Sequence, residues 1–353
     1  MSVEITGTAQ RQAWADKVFP PVERLDRGLW SIPIAFPGNP MRYTLCYALI
    51  SDEDCLVIDP GFDTRQGFEQ LAAGLAAAGV TPTEVTSILA THFHTDHLGM
   101  ARRLADVSGA PIGLGAAEQR YISDYRDAEG EVALDRARMC LWGVPADRVA
   151  EGAMTVDALE HLRRLPDADY RVGAGDDVPF GGSTVRTIET PGHTPGHICL
   201  ELLERLMLIS GDHLLPRISP NVSLEMRGDP DPLGSYIRSL QFIELNDHYE
   251  VLPAHEYRFR APATRARQLL AGIDERSAQI VEAVSGEAEP TVFNVARKIY
   301  WSRGFESLQG LQFRLALSET AAHLQHLRAK GLVQGVEGLP ALAPLGSRAS
   351  APG

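Results

Sequence analysis

The sequence contains few cysteines, and their placement does not indicate a covalent framework. Its cysteines, Cys46, Cys55, Cys140 and Cys199, are scattered singly along 353 residues, without a C-x-x-C pair. Small secreted domains that depend on disulfides use a dense cysteine framework instead. We therefore expect four reduced cysteines in the core.

An apolar run of membrane-spanning length is also missing. The longest apolar stretches have the length of strands and carry charges nearby. The N-terminal segment "MSVEITGTAQRQAWADK" has no basic region followed by an apolar one, the pattern that a secretory signal would show. We therefore expect a cytoplasmic protein with no membrane partner.

Positive charge is scarce, because 33 Lys and Arg stand against 46 Asp and Glu, for a net charge of −13. From residue 256 onward, 12 basic and 9 acidic residues give +3, which leaves −16 for the first 255 residues. This sign opposes binding to a phosphate backbone. We do not expect nucleic acid as a partner, and any such contact would fall on the C-terminal part.

The length of the chain predicts more than one domain. At 353 residues it exceeds the size at which a single core usually stops growing. We expect a larger α/β domain over residues 1–258, a small helical domain over 259–340 and a disordered tail over 341–353.

Strands and helices alternate in the first part of the chain. "YTLCYALISDEDCLVI" (43–58) predicts a hairpin around the polar turn "SDED", and "IDPG" ends its second strand. An amphipathic helix is predicted over 64–78, followed by the strand "SILAT" and a helix that ends at Gly109. Short strands and turns return after Tyr170, and this order is typical of a layered α/β protein.

Two stretches are predicted to be helical. Residues 116–165 contain no evident strand, and we interpret them as a packed helical insertion, with a lid over a cleft as the alternative. Past residue 258, three amphipathic helices are predicted, the last beginning at Ser318 as N-cap and ending at Gly331. "LVQGVEGL" then predicts a small hairpin.

The segment "THFHTDHLG" (91–99) carries the strongest chemical signal. His92 and His94 lie two apart at a strand end and can face the same way, while Asp96 and His97 come from the turn before the next helix. This loop thus supplies four potential ligand side chains within six positions, more than one four-coordinate ion needs from a single loop. The spacing predicts two metal ions side by side, one served by each pair.

Further ligands must come from elsewhere in the fold. Three candidates stand at the ends of predicted strands: His193 in "TPGHTPGH", Asp212 in "LISGDH" and His255 in "LPAHEY". Loops at strand ends are where α/β proteins usually place their sites. Neutral imidazoles and carboxylates are suitable ligands for a divalent metal.

The ordered set "IDPG", "THFHTDHLG", "TPGHTPGH", "SGDH" and "PAHEY" resembles the metallo-β-lactamase superfamily, in particular its glyoxalase II-like hydrolases, over about residues 28–257. This resemblance implies a four-layer αββα sandwich with the site at one edge of the two sheets. It also implies that each metal has three terminal ligands and that both share a bridging one. The first metal would be held by His92, His94 and His193, the second by Asp96, His97 and His255, and the bridge would be Asp212.

The resemblance assigns roles beyond the ligands. Asp59 would orient metal ligands from behind, as carboxylates commonly do for metal-bound imidazoles. Asp96 and His197 are the candidate catalytic residues, with His197 as part of the site wall rather than a ligand. For His213 two interpretations stay open, contact with substrate or an ordinary strand-end position.

Two cations about 3.5–4 Å apart can share a water and lower its pKa toward neutrality, which gives a hydroxide nucleophile. One metal can also polarise the carbonyl or phosphoryl oxygen under attack. Zinc is the expected metal, and the same ligand set also accepts iron or manganese.

The resemblance favours a small-molecule thioester or related ester of the acyl-CoA or glutathione class as substrate. True β-lactamases commonly have cysteine where this chain has Asp212, which argues against antibiotic hydrolysis. Three alternatives are a lactone hydrolase, an endoribonuclease for single-stranded RNA and a non-catalytic module with structural metals. The C-terminal helices resemble the winged-helix domain of some superfamily members, for which we expect packing beside the site mouth or homodimerisation.

Overall fold

The computed structural model describes residues 2–126, 130–181 and 183–340, so the predicted tail over 341–353 lies outside the described residues. Its contacts divide the chain into two compact units. The first unit consists of Met1–Ala128, Val156–Pro220 and Ser235–Ala271, and the second of Glu129–Thr155, Asn221–Gly234 and Gly272–Gly353. The second unit therefore draws on three stretches of sequence, of which only the last falls in the region predicted as a C-terminal domain.

Two seven-stranded sheets form the body of the first unit. In spatial order, sheet one consists of β2 (Glu23–Asp26), β3 (Leu29–Ala35), β4 (Tyr43–Ile50), β5 (Cys55–Ile58), β6 (Ser87–Leu89), β7 (Ile112–Gly115) and β8 (Tyr170–Val172). Sheet two consists of β1 (Glu4–Ile5), β14 (Phe259–Arg260), β13 (Glu250–Pro253), β12 (Met207–Gly211), β11 (Ile198–Leu202), β10 (Ser183–Glu189) and β9 (Asp177–Phe180). The predicted hairpin over 43–58 is confirmed, since β4 and β5 pair antiparallel with Tyr47 opposite Ile58.

Strand β4 contributes side chains to two hydrophobic clusters. Its side chains alternate between the two faces of sheet one, as the period of a strand requires. Cys46 and Ala48 pack in the cluster that includes helical residues such as Leu71 and Leu104. The other face enters a cluster shared with sheet two, through Tyr43, Leu45, Tyr47 and Leu49. Because both faces are buried, the strand is an almost continuous apolar run.

Helices cover the sheets and form most of the second unit. Those within the first unit are α1 (Thr8–Asp16), α2 (Arg65–Ala77), α3 (Ala101–Ser108), α4 (Ala116–Arg126) and α7 (Val156–Arg164). The second unit contains α5 (Glu131–Leu141), α6 (Val149–Gly152), α10 (Val292–Lys298) and α11 (Gly310–Ala329), and the unit boundaries fall within α8 (Pro232–Glu244) and α9 (Pro262–Ser285). The predicted α/β fold, with two sheets, a helical insertion and a mostly helical C-terminal region, is confirmed.

The start of the last helix was predicted wrongly. Helix α11 begins at Gly310, so Ser318 lies inside it, fully buried, and donates its hydroxyl to the Arg314 carbonyl at 3.0 Å. The actual N-cap, Gln309, makes no side-chain capping bond. The true beginning therefore carries no capping signal in the sequence.

The predicted hairpin in "LVQGVEGL" is also wrong, because no strand is assigned anywhere in 331–340. Val333 and Val336 are buried, and the Trp142 indole donates to the Gly338 carbonyl at 3.1 Å. Packing and side-chain bonds hold this segment where strand pairing was expected. The described part of the second unit thus has helices without the wing of a winged-helix domain.

Two further observations concern the exposure of the cysteines and the length of the apolar helices. Cys46, Cys55 and Cys199 are buried as expected, but Cys140 is exposed near the end of α5, contrary to the prediction. Among the helices of the described chain, none has both the length and the apolar character needed to span a membrane.

Candidate metal centre

The loop that follows β6, residues 91–97 and here called the ligand loop, leaves its strand in a compact turn. The backbone N–H groups of His97 and Leu98 donate to the His94 carbonyl at 3.0 and 2.9 Å. At Gly99 a Cβ atom would lie 2.1 Å from the Thr95 carbonyl oxygen, so only glycine fits there. This turn directs the four predicted ligand side chains of one short segment toward a common centre.

The first ligand group consists of His92, His94 and His193. The distance from His92 Nε2 to His94 Nδ1 is 2.9 Å, and that from His193 Nε2 to His94 Nδ1 is 3.1 Å. One nitrogen from each ring lies within 4.8 Å of the others, which is close enough for all three to coordinate one ion.

The second ligand group consists of Asp96, His97 and His255. Asp96 Oδ2 lies 3.4 Å from His255 Nε2 and 3.6 Å from His97 Nε2. All three side chains are buried, and each places a potential ligand atom within 4.8 Å of the others. The chain thus brings together residues separated by 159 positions in the sequence.

Asp212 lies between the two groups. Its Oδ2 is 3.6 Å from His193 Nε2 in the first group and 3.7 Å from His97 Nε2 in the second. Its Oδ1 is 3.3 Å from His255 Nε2. A carboxylate within 4 Å of imidazoles from both groups has the position that a bridging ligand needs.

Hydrogen bonds behind the ligands fix the orientation of the rings. Asp59 Oδ2 lies 2.9 Å from His97 Nδ1, and the two Asp59 oxygens also accept from the backbone N–H and the hydroxyl of Thr91 at 2.7 and 2.8 Å. His255 Nδ1 lies 3.0 Å from the Tyr43 carbonyl. Both rings can donate through Nδ1, which leaves Nε2 directed at the centre. Asp59 has a φ of 51°, a left-handed conformation that costs energy in a non-glycine residue.

His197 lies beside the first ligand group, with its ring centre 5.1 Å from that of His92, and it is absent from the groups of described residues that could hold an ion. Its ring is fully buried, with Nε2 accepting from the backbone N–H of Asp212 at 3.1 Å and Nδ1 2.8 Å from the Thr190 hydroxyl. Its contacts place it as a support for Asp212. His213 is also fully buried and packs edge-on against Tyr236, so the structure favours its strand-end interpretation.

The two ligand groups differ in their electrostatics. Burial lowers the pKa of His92 well below its usual value, and it lowers the pKa of His94 to about 3. Burial would also lower the pKa of His97, but the carboxylates around it raise that pKa to about 9. Burial would raise the pKa of Asp96, but His97 and His255 lower it to about 2. The first group therefore offers neutral imidazoles, while the second contains carboxylates that need positive charge beside them.

The residues at this centre fit a pair of divalent cations. His97 Nε2 is buried without a hydrogen-bond partner among the described residues, an arrangement that is costly unless another group binds it. Asp212 Oδ1 faces His255 Nε2 at 3.3 Å without a well-aligned hydrogen bond. The donor set mixes imidazole nitrogens with carboxylate oxygens, which suits zinc and related transition metals.

Sequence reasoning missed two residues that contact the ligand loop. Thr44 is buried on β4 and its hydroxyl lies 3.3 Å from Asp96 Oδ2. Glu118, in the first turn of α4, accepts a hydrogen bond from the backbone N–H of Phe93. Neither belongs to a recognisable motif, since their contacts depend on tertiary packing alone.

The two-sheet fold with a His and Asp cluster at strand ends defines a class of metal-dependent hydrolases. In keeping with this class, the sequence pattern of the metallo-beta-lactamase superfamily matches residues 40–255, more than half of the chain. The chain therefore belongs to the metallo-β-lactamase superfamily and is a metal-dependent hydrolase.

Individual proteins are similar over much of their length. A probable metallo-hydrolase of Bacillus subtilis (strain 168), YqjP, is 26% identical over 294 residues, which cover 80% of this chain and 87% of the relative. The hydroxyacylglutathione hydrolase of Rhizobium meliloti (strain 1021) is 27% identical over 204 residues, or 54% of this chain and 77% of that enzyme. A solved metallo-beta-lactamase family protein from Thermus thermophilus superimposes with a TM-score of 0.74 at 26% identity, covering 87% of this chain and 95% of that one.

Proposed function

We propose that this protein is a dinuclear metal-dependent hydrolase of thioesters or related esters. The observation that carries the proposal is the position of Asp212, which lies within 4 Å of imidazoles from both ligand groups. In this proposal the first metal is bound by His92, His94 and His193, and the second by Asp96, His97 and His255. Asp212 bridges them.

A bound pair of divalent cations would lower the pKa of a water shared between them and polarise the carbonyl oxygen under attack. The residues of this chain prepare the place where that chemistry occurs. Asp59 holds His97 by its Nδ1, and the Tyr43 carbonyl holds His255 in the same way. Asp96 adds a carboxylate whose pKa is lowered to about 2 by His97 and His255 against the effect of burial, so it is ionised and suited to bind a cation. His197 fixes the backbone of Asp212 from behind.

The thioester class is supported by two observations. One relative is named a hydroxyacylglutathione hydrolase, and hydroxyacylglutathione is a thioester. The residue between the ligand groups is a carboxylate, where true β-lactamases commonly have cysteine. Zinc is the metal we expect, with iron and manganese as alternatives that the same ligands accept.

Two arginines meet at the Trp14 ring, and one of them pairs with the residue that follows His255. Arg217 forms an ion pair with Glu256, the residue after His255, at 2.7 Å, and its side chain is 59% exposed. Arg42 lies 4.4 Å above the centre of the Trp14 ring, and Arg217 lies 5.9 Å from the same ring. An acyl or thiol group that carries a carboxylate or phosphate would find here the cations that recognise it.

The test is a substrate panel with metal-loaded protein: acyl-CoA thioesters, glutathione thioesters, lactones and labelled single-stranded RNA. We expect thioester turnover that disappears after chelation and returns with zinc, iron or manganese. Elemental analysis should find about two ions per chain. RNA cleavage that Asp96→Ala abolishes, without thioester turnover, would overturn the proposed substrate class, and less than about one ion per chain would overturn the dinuclear centre.

A further inference from the structure

Glu118 connects two loops of the candidate centre, although no sequence motif includes it. Its side chain is fully buried. Oε2 accepts the backbone N–H of Phe93 at 2.8 Å, and Oε1 accepts that of Gly196 at 2.5 Å. Phe93 belongs to the ligand loop, and Gly196 belongs to residues 190–197, here called the His193 loop. One carboxylate therefore joins both loops.

The residue type at this position follows from its two partners. Both are N–H donors, and an ionised carboxylate only accepts hydrogen bonds. Glutamine has the same shape, but its NH₂ group would face one of the two donors. Among the described residues, the groups whose ligand atoms lie close enough to hold an ion do not include Glu118.

The His193 loop approaches the start of α4 too closely for side chains. A Cβ atom at Gly196 would lie 2.5 Å from the backbone nitrogen of Glu118, and one at Gly115 would lie 2.3 Å from the Gly196 carbonyl oxygen. Glycine is therefore required at both positions. This direct backbone contact fixes the distance between the loop and the Glu118 side chain.

The two bonds of Glu118 lie beside ligands of the first group. Phe93 stands between His92 and His94 in the sequence, and Gly196 follows His193 by three residues. The first group takes ligands from both loops, so its geometry depends on the distance between them.

The second group has different supports. It takes Asp96 and His97 from the ligand loop and His255 from the end of β13. Asp59 and the Tyr43 carbonyl orient its two rings. The two hydrogen bonds of Glu118 end at Phe93 and Gly196, and they involve neither Asp59 nor Tyr43.

We propose that Glu118 is a positioning residue that sets the metal affinity of the first ligand group by holding its two loops together. The inference rests on the proposed dinuclear centre. A backbone bond from the Ile198 N–H to the Thr91 carbonyl, 2.9 Å long, also joins the two loops where they leave their strands. Glu118 adds the link beside the ligands themselves, where small displacements alter coordination most.

The test compares the full-length wild-type chain with Glu118→Gln in zinc titrations against a chelator of known affinity. We expect two affinities in the wild type. In the variant one of them should fall about 10- to 100-fold, as for other groups that orient ligands from behind, while the other stays unchanged. The result does not depend on hydrolytic activity.

A double-mutant cycle with His193→Ala identifies the site that responds. His193→Ala should remove the first ion, and adding Glu118→Gln to it should leave the affinity for the remaining ion unchanged. Gln119→Ala is the matched control, because Gln119 is the buried neighbour on α4 that bonds Asp167 and the Ala168 N–H. It should reduce thermal stability without altering either affinity.

The outcomes separate this inference from the proposed function. A wild type that binds less than about one ion would overturn the dinuclear centre and this inference with it. A wild type with two ions, combined with a Glu118→Gln variant that weakens both equally or neither, would overturn only the role of Glu118. If the variant does not fold, amide exchange in the wild type decides: Phe93 and Gly196 amides that exchange as fast as exposed loop amides would contradict the proposal.

Discussion

The first and second ligand groups take part of their side chains from the same loop, but the charged groups around them differ. In the first group, burial and the neighbouring imidazoles lower the pKa of His92 and His94, so both rings are neutral. In the second group, carboxylates raise the pKa of His97 and of His255, so protons balance the negative charge until a cation replaces them. One loop can therefore serve two ions with distinct requirements, because its neighbours differ.

The supports of the two groups differ as well. The rings of the second group bond a carboxylate and a carbonyl directly, through the contacts of Asp59 to His97 and of the Tyr43 carbonyl to His255. In the first group the Thr91 hydroxyl lies 3.0 Å from His92 Nδ1, and Glu118 supports the backbone of both loops. A substitution should consequently affect one group, the other or both, depending on which contacts it removes.

The largest effect is expected for Asp212→Ala, which removes the contact common to both groups. We expect loss of both tightly bound ions and a fall in hydrolysis of more than about 100-fold, a larger loss than removal of an orienting group causes. Metal analysis after dialysis and thioester turnover measure this. Asp106→Ala, at an exposed position on α3, is the control. Retention of two ions in Asp212→Ala would show that the groups do not share this carboxylate.

The next pair of variants separates the groups. His193→Ala and His255→Ala should each retain about one ion per chain, because each removes a ligand from one group only. Cobalt substitution makes the difference visible, since the ion left in His255→Ala has mainly nitrogen ligands and the ion left in His193→Ala has carboxylate as well. Identical spectra in the two variants would contradict two separate groups.

A smaller effect is expected for Asp59→Asn. The amide keeps the size of the side chain but replaces one acceptor with a donor, so the contact with His97 or those with Thr91 must weaken. Chelator competition should show about 10- to 100-fold weaker binding at the second group. Asp63→Asn is the control, because Asp63 pairs with Arg103 at a half-exposed position. A loss confined to the first group would argue against this division of supports.

The smallest effect is expected for Thr44→Val, which preserves shape and removes the hydroxyl 3.3 Å from Asp96. A hydrogen bond to a charged group contributes about 1.5–3 kcal/mol, and this long one should lie at the low end, so affinity at the second group should fall by about 10-fold. Zinc titration measures the change. A first group that responded as strongly as the second would show that β4 supports the whole loop and not one ligand.

Much of the fold was predictable because its signals are local. The hairpin over 43–58 and the helices after it follow from apolar periodicity and turn residues, which depend on neighbours in the sequence. The beginning of α11 and the segment after it were missed for the opposite reason. Gln309 makes no capping bond, and "LVQGVEGL" packs through Val333 and Val336 without pairing as strands.

The sequence by itself determined which side chains are suited to a metal centre, since ligand chemistry and the spacing within "THFHTDHLG" are properties of a short segment. Only the tertiary structure decided how these ligands are divided, supported and charged. His193, Asp212 and His255 reach the ligand loop through strand pairing, and Glu118 reaches it through helix packing. Those contacts join positions far apart in the chain, and burial then shifts the pKa of each group according to the neighbours that the fold supplies.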